Sequence, residues 1–134
     1  MLKDKIQDTN FIDEQRFFQA VVKKQKIEDA RSYYSRSEAE LVEQALANPI
    51  GTPRLRELAK GKKKVTLVTS DHTRAVPSKL TLPILLKEIR SGNPNADITI
   101  LIATGLHRAT TEKEQRRMFG DAIVDNERIV VNDA

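Results

Sequence analysis

The sequence contains no cysteine, and only 4% of its residues are aromatic. The first absence excludes disulfides, thiolate zinc sites and a cysteine nucleophile, and is compatible with a reducing compartment. The second argues against a nucleic-acid surface, which pairs a basic field with aromatic stacking platforms. Charge points the same way, because 23 basic side chains face 19 acidic ones for a net of +4, with the two signs interspersed. The one locally basic run, Lys60, Lys62, Lys63 and Lys64, reads as cations that offset a helix C-terminus and keep a strand entrance soluble. No apolar run approaches the roughly 20 residues of a membrane-spanning helix. The opening residues lack the apolar core and small-residue cleavage site of a signal peptide, so a cytoplasmic protein is expected. Also missing are the glycine-rich dinucleotide loop, the phosphate loop ending in Gly-Lys, the Gly-x-Ser-x-Gly elbow and the His-Glu-x-x-His pair. With only two histidines in 134 residues, the chain has few metal ligands of its own besides carboxylates.

What is present suits one α/β domain, since a chain of this length with 39% hydrophobic residues can bury a sizeable core. Residues 1–34 are a poorly assigned N-terminal segment, with a possible amphipathic helix over about residues 13–24 that carries Phe17 and Val21. Ser35 with Glu38, or Ser37 with Glu40, fits the capping-box spacing ahead of Leu41, Val42, Ala45 and Leu46. Thr52 and Pro53 are expected to open a second short helix, closed by Gly61. The apolar run from Val65 to Thr69 predicts a buried parallel strand. Leu82, Leu85, Leu86 and Ile89 then repeat at helical spacing, with Pro83 predicting a late start or a kink. A second strand follows from Ile98 to Ala103, completing a βαβ unit whose two strands must be parallel. Thr111 and Glu114 form a further capping box for a short charged helix ended by Gly120, and Arg128 to Val131 predicts the last strand.

In an open parallel sheet, ligands bind beyond the carboxyl ends of the strands. Two loops occupy that position here: Ser70-Asp71-His72-Thr73-Arg74-Ala75-Val76-Pro77 and Thr104-Gly105-Leu106-His107-Arg108. They hold both histidines of the protein. Arg74 suits a carboxylate or phosphate, or else covers the following helix as a surface arginine. Asp71 can orient a ligand hydroxyl or cap the next turn. His107 can accept and return a proton near neutrality, or stand as a polar loop residue without a task. Gly105 beside it permits a positive φ or a close ligand approach.

Taken together, Asn48-Pro49-Ile50-Gly51, the segment from Leu55 to Lys60, Ser70-Asp71-His72-Thr73-Arg74 with Val76-Pro77, and Ala103-Thr104-Gly105-Leu106-His107-Arg108 resemble the N-terminal domain of the nickel-dependent lactate racemase family. The resemblance covers roughly residues 43–131. It implies a Rossmann-like three-layer α/β domain with a mostly parallel sheet over residues 35–134, the N-terminal part of a larger two-domain enzyme. The implied activity is the interconversion of 2-hydroxy acid stereoisomers, through hydride transfer to a nickel-pincer nucleotide derived from nicotinic acid. On that resemblance His107 is the catalytic acid/base, and Asp71, His72, Thr73 and Arg74 bind the cofactor. No metal ligand is assigned to this chain, because the family's covalently joined lysine, its nickel-binding histidine and its second acid/base histidine belong to later sequence. Cofactor-maturation proteins are the implied partners, and the domain alone is expected to be inactive. Ala75 departs from the proline often found after the family's arginine. The other reading is a non-catalytic module that binds an anion or a partner through the same two loops, using Arg74, Arg108 and the helix N-termini.

Overall fold

The computed structural model describes residues 36–132. The helix expected over residues 13–24 lies outside that range. All the described elements belong to a compact unit that begins at Glu38.

Helix α1 runs from Glu38 to Ala47, which places Ser37 just before it and Glu40 at its third position, the later of the two expected capping registers. Helix α2, Leu55–Ala59, starts two residues later than its sequence suggests. Thr52 is not its cap: the Thr52 hydroxyl turns toward the neighbouring Pro53 carbonyl. The Glu57 carboxylate instead accepts the Arg54 backbone N–H at 3.3 Å. Gly61 does close this helix, in the left-handed region at φ 69°.

Strand β1, Lys64–Ser70, leads through helix α3, Ser78–Gly92, to strand β2, Asp97–Ala103. Helices α4, Glu112–Phe119, and α5, Asp121–Asn126, precede strand β3, Arg128–Val131. The sheet order is β1-β2-β3 with both pairings parallel, as expected for an α/β domain. Pro83 sits inside α3 without delaying its start. Helix α5 had no expected counterpart, because its six residues follow Gly120 with little room for periodicity to declare itself.

The core lies between one face of β2 and the helices. Ile98, Ile100 and Ile102 alternate into it and meet Leu82, Leu86 and Ile89 of α3, Phe119 of α4 and Ile123 of α5. Each such buried side chain contributes roughly 1.5–3 kcal/mol relative to exposure. On the other face the register sets Val68, Leu101 and Val130 side by side. Val68 and Val130 are exposed there. The C-terminal end of α3 is pressed onto α2: a Cβ at Gly92 would collide with the Arg56 carbonyl. Nearby, the Asn93 amide donates to the Ala59 and Lys62 carbonyls at 2.9 and 2.7 Å. No helix among the described residues is long and apolar enough to cross a membrane.

Candidate active site

Strands β1 and β2 end level with each other, Ser70 opposite Ala103, so the two loops leave the sheet at one edge. The next residue of each, Asp71 and Thr104, is buried. A buried polar side chain needs a partner, and each has one. The Thr104 hydroxyl donates to the Asn132 carbonyl at 3.0 Å, fixing the root of the second loop to the end of β3. From there the His107 N–H donates back to the Thr104 carbonyl at 3.0 Å. Gly105 stands at φ 58° inside that turn, a conformation that costs a residue with a Cβ.

The turn swings His107 over the first loop. Its Nδ1 lies 2.6 Å from Asp71 Oδ2. The other carboxylate oxygen, Oδ1, accepts the Thr73 hydroxyl at 2.6 Å and the Thr73 N–H at 3.0 Å. The Thr73 hydroxyl bond above all, with further help from His107 and the Thr73 backbone, holds the Asp71 carboxyl down at about 2 against the opposing effect of burial. Asp71 is thus ionised near neutrality and can only accept. The hydrogen between it and the imidazole must therefore sit on Nδ1, which leaves Nε2 of a neutral His107 with its lone pair. The His107 side chain is 51% exposed while that of Asp71 is 3% exposed, so the imidazole reaches outward from a sunken anionic anchor. This is the arrangement of an oriented general base.

The remaining loop residues divide. His72 Nδ1 lies 3.1 Å from the Thr110 hydroxyl and 4.0 Å from Glu114 Oε2, in a mostly shielded position. Arg108 is forked onto Glu114 at 2.9 and 2.7 Å. Glu114 also accepts the Thr111 N–H and hydroxyl, both at 2.9 Å, as the capping box of α4. The Arg108 contact is the leading reason its carboxyl is held well below the ordinary range. Arg74 is exposed, and its guanidinium has no partner among the described residues. It is a charge at the rim that can meet an anion. The described residues contain no cluster of three or more histidines, cysteines or carboxylates able to hold a metal ion.

Sequence reasoning brought out Asp71, His72, Thr73, Arg74 and His107, and the structure gathers them at one sheet edge. It missed Thr110 and the second task of Glu114. The Thr110-Thr111 doublet ahead of the capping box was the available signal, but only Thr111 fits a capping role.

The sequence matches the family described as the lactate racemase N-terminal domain over residues 12–134, further toward the N-terminus than the motifs reach. The chain is 56% identical over 98 residues to a lactate racemase of Thermoanaerobacterium thermosaccharolyticum, covering 73% of this chain and 23% of that protein. It is 48% identical over 107 residues to a lactate racemase of Lactiplantibacillus plantarum, covering 79% of this chain and 25% of that one. The solved lactate racemase apoprotein of Thermoanaerobacterium thermosaccharolyticum superposes with a TM-score of 0.71 at 57% identity, over 72% of this chain and 23% of its own. The chain therefore spans about a quarter of the length of these relatives. The α/β fold, the two strand-end loops and the match over residues 12–134 together lead to one assignment: the chain belongs to the lactate racemase N-terminal domain family.

Proposed function

We propose that the protein carrying this domain interconverts the stereoisomers of a 2-hydroxy acid such as lactate, with His107 as one half of an acid/base pair. The observation that carries the proposal is the 2.6 Å contact between His107 Nδ1 and the buried Asp71 carboxylate. It leaves Nε2 of a half-exposed imidazole free to take the proton of a substrate hydroxyl and to return it. Thr73 has a dual place, holding Asp71 through its hydroxyl and standing beside His107. Arg74 would bind the carboxylate of the substrate or a phosphate of a nucleotide.

A nickel-pincer nucleotide, the cofactor that the family resemblance implies, would supply the hydride acceptor when bound. The chain's donor set fits the anionic part of such a group, with Arg74 and Thr73 exposed at the rim of the site. Nickel ligands and a second acid/base group would come from sequence beyond this domain. The domain by itself is accordingly inactive, and loading would require maturation proteins in the cytoplasm. A purely anion-binding module is supported less well, because Arg108 is already forked onto Glu114.

The test is to produce the complete protein with nickel and the maturation proteins, and to follow D- and L-lactate and related hydroxy acids by chiral chromatography. Interconversion of at least one pair supports the proposal. No turnover across the panel by a protein with confirmed cofactor would overturn it.

A further inference from the structure

The two loops are joined at two places. Consecutive residues of the first loop, Asp71 and His72, grip the stretch between β2 and α4 at two points, at His107 in the second loop and at Thr110 just beyond it. We infer that the His72–Thr110 pair is a positioning device for His107, and that His72 serves the reaction through Thr110 rather than by touching the cofactor. The inference rests on the reading of His107 as the base.

The geometry supports it in three ways. Thr110 is 3% exposed, and the His72 side chain is 12% exposed, so the 3.1 Å bond between them is shielded from competing water. Second, apart from the weaker 3.4 Å contact of Thr73 with His107 and the 4.0 Å approach of His72 to Glu114, the polar contacts of Arg108 and Thr111 stay within their own stretch. Arg108 and Thr111 both bind Glu114, which belongs to the helix that follows them. Third, the second loop turns at Gly105, where the space around the Cα is open. The turn is therefore held by its own hydrogen bonds, His107 N–H to the Thr104 carbonyl and the Thr104 hydroxyl to the Asn132 carbonyl, and not by packing at Gly105. Without the His72–Thr110 bond, the imidazole of His107 would be aligned across the loops by its own contacts with Asp71 and Thr73 alone. A misplacement of about 1 Å at a reacting group can cost on the order of a hundredfold in rate.

The test compares Thr110→Val, which removes the hydroxyl at nearly constant shape, with Thr110→Ser, which keeps it. The first readout is the 15N imidazole NMR spectrum of this chain, which has only two histidines. In the parent, His107 is expected as the Nδ1–H tautomer. Thr110→Val should mix its tautomers or broaden the Nδ1–H signal, and Thr110→Ser should restore the parent pattern. His72→Phe breaks the same bond from the other side, should match Thr110→Val, and serves in its place if that variant does not fold. The second readout is the kcat against KM split in the complete, loaded protein. We expect kcat to fall roughly tenfold in Thr110→Val, below the cost of a full 1 Å displacement, with KM and cofactor absorbance unchanged. Parent-like His107 signals in both Thr110→Val and His72→Phe would overturn the inference alone. Mixed tautomers in the parent itself would overturn the oriented-base reading and the inference with it. Loss of cofactor in His72→Phe with normal kcat in Thr110→Val would assign His72 to cofactor binding instead.

Discussion

Asp71 Oδ2 and His107 Nδ1 lie 2.6 Å apart across two loops that leave neighbouring parallel strands at the same level. The buried partner accepts a hydrogen from Nδ1, so in the neutral imidazole the lone pair is on the outward Nε2. The chemistry proposed for this domain depends on that division.

Asp71→Asn tests the division directly. An asparagine can offer its NH2 to Nδ1, which would move the imidazole hydrogen to Nε2 and remove the base. In the complete protein kcat should fall by roughly four orders of magnitude, as when the carboxylate of a histidine–aspartate pair is replaced in other enzymes. Steady-state kinetics with a circular dichroism control for folding checks this.

Acid should destabilise the domain in a predictable window. The Asp71 carboxyl is held at about 2, below its ordinary 3.8, and that of Glu114 is also lowered from 4.5. Groups with depressed folded values stabilise the fold above their unfolded values, and that contribution disappears as pH falls through the folded ones. Urea unfolding midpoints should therefore be level above about pH 5 and fall as the pH drops below 4 toward 2. Asp71→Asn should make that decline shallower.

Two glycines should respond differently to alanine. At Gly105 the space is open and the penalty is the positive φ of 58°, about 1 kcal/mol. At Gly92 the new Cβ meets the Arg56 backbone carbonyl, which demands that α2 and α3 move apart, at about 2–3 kcal/mol. Denaturant unfolding of the two variants should rank Gly92→Ala as the more damaging, and Gly105→Ala should cost kcat in the complete protein by loosening the His107 turn.

Arg74→Ala should leave folding untouched, since the side chain is exposed and holds nothing in place among the described residues. In the complete protein it should raise KM for the hydroxy acid or reduce retention of the cofactor, read by substrate titration and by absorbance of the purified protein.

The strands and α3 were legible because apolar β-branched runs and a leucine repeat state their periods clearly. The start of α2 was not, because Thr52-Pro53 imitates a capped helix start while the actual start is secured by Glu57. Pro83 misled in the other direction: α3 accommodates it. Within the site, the loop residues were readable from their place at strand ends. Thr110 was not, because a buried threonine hydroxyl has no sequence signature, and its partner is 38 residues away. Glu114 was readable as a cap, but its fork with Arg108 depends on where the second loop turns.

The most direct measurement is racemisation of lactate by the complete, cofactor-loaded protein with and without His107→Gln. The account predicts a loss of kcat of at least about a hundredfold, the usual share of a general base, with fold and cofactor absorbance retained. Turnover close to that of the parent would contradict it and remove His107 from the reaction.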